Sequence, residues 1–436
     1  MPDDQLILVK NSESLEEETS EKDTQDSKNK KNQKGLFWLI SIGNNGSQLI
    51  LLNFFQYFAV AVGVKEGILG FVTAIRNLLG AVLQGNFGYL SDKKGRKFLL
   101  LIGFFLTFVA TTLLIFSYNP IMLIIVSILH AFSFSIVVPV WNAALGDVTQ
   151  KEGRTTYIGK LSSVGQGVGV ILMMILAGVF WMLDYFKGIT LRFQVQYGIV
   201  FAICAANLLI CTIGAAFLRE TRKFEISRKA PKILSAFKNK PFRKFIIVNS
   251  FFGVTMAALW PIYPVIQAGE DFLHMDINKL ILVAVIYTIA FSISNYIAGR
   301  VGDKFGRKPV LIFSRVIMFS VALFYIPAVL SGSWYWIILT NSVSGIGNGA
   351  FLVMMNAYAL DMAPDEDQGS YSGLTQASWG VATFLGSLIM GFIAQAISEN
   401  FNPITMVVST TIAIAIMRVI ASIGYFFIKE SLVKKS

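Results

Sequence analysis

Along nearly the whole chain, apolar stretches long enough to cross a bilayer, about 20 residues each, alternate with short polar connections. Twelve such segments lie near 36–63, 67–90, 97–117, 120–146, 156–183, 194–218, 243–268, 277–301, 308–330, 333–360, 369–397 and 403–429. Each predicts a membrane-spanning helix. The predicted fold class is an all-α polytopic membrane protein with twelve transmembrane helices in two pseudo-symmetric six-helix bundles.

The two bundles are legible as a repeat. GYLSDKKGRK at 88–97 returns as GRVGDKFGRK at 299–308, so that Gly88, Asp92, Gly95, Arg96 and Lys97 recur as Gly299, Asp303, Gly306, Arg307 and Lys308, each 211 positions on (299 minus 88). A second echo carries Asn142, Asp147, Tyr157 and Gly159 to Asn356, Asp361, Tyr371 and Gly373, 214 positions on (356 minus 142). The two echoes place two equivalent halves in one chain.

Composition changes the picture only by naming the solvent. The 436 residues are 54% hydrophobic and 14% charged with mean hydropathy +0.62, against a charged fraction of about 25% in soluble domains. The net charge of +11 sits in the connections rather than on one basic face, which argues against nucleic acid as a partner. Lys93, Lys94, Arg96, Lys97, Lys151, Arg154, the run Arg219–Lys244, Lys304, Arg307 and Lys308 fall on one side of the layout. The other side holds Lys65, Lys187, Arg192 and Lys279. The bias predicts an integral multi-pass protein of the cell membrane with both termini cytoplasmic. Cys204 and Cys211, seven residues apart in one apolar segment, stand too far apart on a helix for a disulfide and read as packing residues.

The domain layout that follows is a disordered cytoplasmic tail (1–35), an N-terminal bundle (36–218), a cytoplasmic linker (219–242), a C-terminal bundle (243–430) and a short tail (431–436). The first tail runs from an acidic stretch (Glu16, Glu17, Glu18, Glu21) to Lys28, Lys30, Lys31 and Lys34, with no pattern of a cleavable signal. Within the linker, Ile233, Leu234 and Phe237 suggest a short helix confined by Pro231 and Pro241.

A pair of six-helix bundles with G-x-x-x-D-x-x-G-R-K after helix 2 and again after helix 8 resembles the major facilitator superfamily of secondary transporters. The resemblance spans 36–430 and implies alternating access, in which the halves rock about a central site. In the motif, Gly88 and Gly299 let helices approach closely and Gly95 and Gly306 permit a tight turn. Asp92 and Asp303 are placed to face a helix N-terminus. The resemblance further implies that the motif arginine pairs with a carboxylate ending helix 4 or 10, hence Arg96 with Asp147 and Arg307 with Asp361. These ten residues are the expected gating set.

The resemblance also implies that helices 1, 4, 7 and 10 line the cavity with help from 2, 5, 8 and 11. Polar residues at mid-depth there are Asn44, Asn45 and Gln48, Ser127 and His130, Ser163 and Gln166, Asn249, Trp260 and Tyr263, Asn341 and Asn348, and Gln376 and Trp379. Charges inside hydrocarbon are costly and tend to be functional. Lys160 and Arg315 lie near helix ends and read as snorkelling anchors. Arg418 lies deeper in a helix expected to be peripheral, where a packing or headgroup role is as good as a substrate role. Arg76 lies at mid-depth of helix 2, with Gly80 and Gln84 following at four-residue steps, and reads as a binding residue. The expected substrate-binding set is Arg76, Gln84, Asn44, Gln48, His130, Gln166, Asn348 and Gln376.

No Asp or Glu falls inside any drawn span, so His130 is the titratable side chain suited to couple a proton; a sodium ion is the other coupling partner considered. Arg76 and His130 with no buried acid favour an anionic or polar neutral metabolite as the small-molecule substrate. The aromatic content (13%) and 14 Met keep amphipathic drug export as an alternative. Gly165, Gly167 and Gly169 read first as helix-packing positions. A non-transporting receptor of the same fold ranks lower. An enzyme ranks lower still: the sequence has no phosphate-cradling G-x-x-x-x-G-K-[ST], no Cys/His metal cluster and no convincing Ser/His/Asp arrangement, so no catalytic residue, metal or cofactor is expected, and membrane lipid is the remaining partner.

Overall fold

The computed structural model describes residues 33–149, 154–187, 191–221, 233–364 and 368–432. A helix over 33–61 (α1) is followed by α2 (Glu66–Lys94), α3 (Arg96–Leu114), α4 (Pro120–Val148), α5 (Arg154–Lys187) and α6 (Phe193–Phe217). A short 3-10 turn at Ile233–Lys238 leads into α7 (Lys240–Ala257), α8 (Tyr263–Ala268) and α9 (Ile277–Phe305). The remainder is α10 (Arg307–Val316), α11 (Met318–Leu323), α12 (Tyr325–Ser331), α13 (Tyr335–Asp361), α14 (Gln368–Asn400) and α15 (Pro403–Phe426). Among the described residues ten helical segments are long and apolar enough to cross a membrane, with Arg307–Ser331 counted as one.

The expected tail boundary shifts, because residues 33–35 already belong to α1; the rest of that tail lies outside the described residues, as do linker residues 222–232. The seventh expected span is not one helix. Pro261 and Pro264 cannot donate to carbonyls four residues back, so α7 stops at Ala257 and α8 restarts at Tyr263. The ninth span loosens into three short helices, with Pro327 inside the last.

Caps punctuate the chain where the sequence supplies them. Asn119 accepts from Met122 N (2.8 Å), Asn239 from Phe242 N (3.2 Å), Asp276 from Lys279 N (3.0 Å) and Asn402 from Thr405 N (2.7 Å). Each satisfies an otherwise orphan donor of a helix start. Cys204 and Cys211 are both fully buried free thiols packed against α1 backbone.

The halves meet chiefly where α2 runs along α14. A Cβ on Gly70 would lie 2.5 Å from Ser387 O and 3.0 Å from the Gly391 Cα, and one on Gly391 would lie 2.8 Å from Glu66 O. Only glycines allow two backbones to pass this closely. Inside the N-terminal half, a Cβ on Gly165 would lie 2.7 Å from Asn45 Cβ and one on Gly169 would lie 3.0 Å from the Gly46 Cα, so these two glycines serve α1–α5 packing; Gly167 has open space.

Candidate substrate cavity and its two gates

The two repeated decapeptides form matched turns. Gly95 and Gly306 take φ of 98° and 106° with ψ of 154° and 163°, a region that L side chains rarely adopt. Arg96 Nε donates to Asp147 Oδ2 at 3.1 Å, and Arg307 Nε donates to Asp361 Oδ2 at 3.0 Å. Arg307 Nη1 also reaches Asp303 Oδ1 at 2.5 Å, while Arg96 Nη1 donates to the Ser91 hydroxyl. Asp92 lies on α2, with its side chain outside the described residues.

Sequence reasoning missed the other part of these turns. Glu220 accepts from Arg96 N (2.8 Å) and Lys97 N (3.2 Å), and Glu430 accepts from Arg307 N (2.8 Å) and Lys308 N (3.0 Å). Each carboxylate therefore caps the first turn of α3 or α10, where the helix end favours negative charge. The signal was present as a third echo, Glu220-Thr221 and Glu430-Ser431, whose hydroxyls approach Asp147 (3.5 Å) and Asp361 (3.1 Å).

Gly88 and Gly299 behave differently from expectation. A Cβ on Gly88 would meet Pro139 Cβ at an ordinary 3.7 Å, and one on Gly299 would meet nothing within 4 Å. Neither glycine is therefore required by a close helix approach in this conformer.

The end opposite the motif turns is closed by polar contacts between halves. Lys65 pairs with Glu399 at 2.7 Å. Tyr57 donates to Gln267 Oε1 at 2.7 Å, Gln267 Nε2 donates to Tyr325 OH at 3.1 Å, and the Tyr57 and Tyr263 rings meet edge-on at 6.2 Å. Gln267 and Tyr263 sit on α8, so the break after α7 aims these groups across the gap at α1.

Between the closed end and the motif turns lies a cavity shared by both halves. Its inner part, about 380 Å³, is bounded by Arg76, Tyr57, Trp260, Tyr263, Gln267, Tyr325, Asn341, Asn348 and Arg418. Toward the motif turns it continues past Gln48, Gln84, His130, Gln376 and Trp379, and past Asn44, Gln166, Trp141 and Asn142. All eight expected substrate-binding residues thus line adjoining parts of this space. Asn249 does not: it is fully buried and accepts from Tyr425 OH at 2.9 Å. Ser127 faces a side pocket and donates to Leu123 O at 2.5 Å.

No Asp or Glu is among the described residues that line these spaces. Arg76 makes no ion pair or hydrogen bond among the described residues; its electrostatic neighbours are the Tyr263 hydroxyl and His130. His130 lies against Phe134 (ring centroids 6.4 Å, interplanar 14°), and its Nε2 is buried without a partner, as are Asn44 Oδ1 and Gln48 Oε1. Buried polar atoms left open in a cavity are places a solute can satisfy.

Arg315 does not snorkel: it is 0% exposed, its Cζ lies 3.0 Å from the Phe351 ring centroid, 4.4 Å from Phe252 and 5.7 Å from Trp379. Position along a helix gave its depth but not its face, and the face points inward. Of the roles expected for Arg418, packing fits its position and a lipid headgroup does not. It is also 0% exposed and donates to Met318 O (2.8 Å), Met256 O (3.3 Å) and Thr255 O (3.4 Å), the last two being orphan carbonyls at the end of α7. Lys160 is exposed.

The comparisons now fit this geometry. The sequence profile of the Major Facilitator Superfamily matches residues 37–268 and 245–436, and the chain belongs to that family. It is similar to the tetracycline resistance protein, class H, of Pasteurella multocida (24% identical, 74% of this chain, 78% of that protein). Another relative is an uncharacterised MFS-type transporter of Methanocaldococcus jannaschii (22%, 82% and 87%). Multidrug resistance protein 3 of Bacillus subtilis is 26% identical over 36% of this chain and 30% of its own length, so the chain spans under a third of that relative. Among solved structures, the nucleoside transporter NupG overlays with TM-score 0.73 at 16% identity over 91% of this chain and 98% of that one. A bacterial homologue of the lysosomal transporter Spinster, in an inward-facing occupied conformation, gives 0.67 at 17% over 90% and 95%. The chain is a multi-pass membrane protein of this family.

Proposed function

We propose that the protein is a secondary transporter of a small organic anion, working by alternating access, with the motif turns and both termini on the cytoplasmic side and the cavity open toward that side. The observation that carries this is Arg76, set in the cavity wall with no acid opposite it among the described lining residues. An uncompensated guanidinium in a low-dielectric site favours a negative partner and disfavours a positive one. Arg76, Gln84, Asn44, Gln48, His130, Gln166, Asn348 and Gln376 are the proposed contacts. The twin turns around Arg96 and Arg307 are the proposed inner gate.

Proton coupling is assigned to His130. A bound anion beside Arg76 adds negative charge next to the imidazole, so solute and proton reinforce each other, which makes anion and proton symport the expected mode. Drug export is the second reading. It is favoured by the names of two relatives and by a wall with Trp260, Tyr263, Tyr287, Met256 and Met318, which suits adaptable packing.

Thermal stabilisation of purified protein by benzoate, uridine and tetraphenylphosphonium, before and after Arg76→Gln, separates the readings. The anion reading expects stabilisation by benzoate that Arg76→Gln removes. Stabilisation by tetraphenylphosphonium alone, unchanged in the variant, overturns it.

A further inference from the structure

We infer that the C-terminal half holds a second anion-binding element, the buried pair Arg315 and Arg418, and that the transported load carries a second negative group beyond the one met by Arg76. This rests on the anionic reading of the cavity and extends it. Three arginines, Arg76, Arg315 and Arg418, lie well inside spans, and every Asp and Glu in the described spans lies within three residues of a span end. The interior therefore carries positive charge that the described side chains do not balance.

Arg315 and Arg418 are electrostatic neighbours across α10 and α15. Backbone carbonyls hold Arg418 in place, but carbonyl dipoles carry no net charge. Arg418 also borders the same inner cavity as Arg76, from the opposite half. Arg315 is the stronger sign. Its guanidinium is fully buried among aromatic rings with the Tyr425 hydroxyl as a hydrogen-bonding neighbour and no carboxylate beside it among the described residues, and the ring of Trp379, one of those around it, also lines the cavity. A fully desolvated guanidinium with no counter-charge is costly for a protein to keep, and an anionic group delivered from the cavity side relieves that cost. The second negative group is either the far end of a dianionic solute or a separate inorganic anion that travels with a monoanion; both present the same chemistry to the pair.

The test measures affinity of the purified protein for the dicarboxylates malonate, succinate, glutarate and adipate, and for their monoamides, with and without added chloride. Arg315→Met is the main variant, because Arg315 makes no hydrogen bond whose loss would unravel a helix end; Arg418→Lys is the second. In the wild type, at least one dicarboxylate is expected to bind at least tenfold more tightly than its monoamide, or chloride to strengthen monoamide binding at least tenfold; the first outcome assigns the second charge to the solute, the second to a free anion. Arg315→Met is expected to remove that tenfold difference while changing monoamide affinity without chloride by less than about threefold. Absence of both effects in the wild type, or their survival in Arg315→Met, overturns the inference. The underlying anion reading fails separately, if Arg76→Gln leaves monoamide binding unchanged.

Discussion

Lys65, just before α2, and Glu399, near the end of α14, meet at 2.7 Å and tie the two halves together at the end of the molecule farthest from the repeated turns. The pair is more than half and nearly half exposed (60% and 48%), so its contribution is small and screened by salt. Glu399 nevertheless raises the Lys65 ammonium above its ordinary 10.5 through a hydrogen bond and its charge. A raised lysine contributes below its free value and fades as pH rises through the bound one, and Glu399, held below its ordinary 4.5 by the same hydrogen bond, fades as pH falls through its bound value, so the latch is complete at neutral pH and weakens above about 10.5 and in acid below about 4.5.

Glu399→Gln is expected to shift the equilibrium a few-fold toward the conformer open at this end. The shift is expected to shrink in the wild type as salt is raised, and the swap Lys65→Glu with Glu399→Lys to restore the original balance. Spin-label distances across the α2 and α14 ends check this. A Glu399→Gln distance distribution identical to wild type at low salt refutes the latch.

The glycine crossings predict opposite biases. Gly391→Val pushes a branched side chain against Glu66 O and the Gly70 Cα, and overpacking of this kind costs about 1–3 kcal/mol. The cost falls on the conformer closed at that end. Gly88→Val and Gly299→Val meet ordinary or empty space here, so they are expected to leave this conformer intact and penalise its alternate, in which these helices approach. Cysteine accessibility from each side of the membrane reads both shifts; matching effects from Gly391→Val and Gly299→Val contradict the assignment.

Much of this was legible in the sequence because duplication doubles a weak signal: the arginine clasps to Asp147 and Asp361 followed from paired motifs. Glu220 and Glu430 are equally paired, but they fall at the start of the expected linker and at the last residue of the expected C-terminal bundle, just past the apolar spans, where polarity alone carries no geometry. Arg315 was misjudged because hydropathy along a helix reports depth and not rotation about the axis. Tyr57, Gln267 and Tyr325 were overlooked because the break at Pro261 and Pro264, which redirects α8, was read as an uninterrupted span.

The caps give a stability prediction. Glu430→Ala leaves the amides of Arg307 and Lys308 without their acceptor and is expected to cost about 0.5–2 kcal/mol, the range of a lost helix cap. Gly306→Ala forces a side chain into a strained backbone region at about 1–3 kcal/mol. Thermal unfolding of the purified protein measures both. Because Glu220 and Gly95 make the same contacts in the other half, their substitutions are expected to cost similar amounts, and a large disparity argues that one turn alone is under tension in this conformer.

His130 carries the coupling prediction. Its Nε2 is buried and open beside Arg76, so an anion bound in the cavity would lie next to the ring that the coupling assignment needs to carry the proton. Downhill solute entry into proteoliposomes is then expected to acidify the lumen, and solute accumulation to rise as the external pH is lowered. His130→Gln keeps a hydrogen-bonding side chain but cannot titrate near neutrality. The variant is expected to retain exchange of labelled for unlabelled solute while losing both the acidification and accumulation driven by a pH gradient. Acidification that persists undiminished in His130→Gln removes the histidine from the coupling mechanism and transfers that role to another ion.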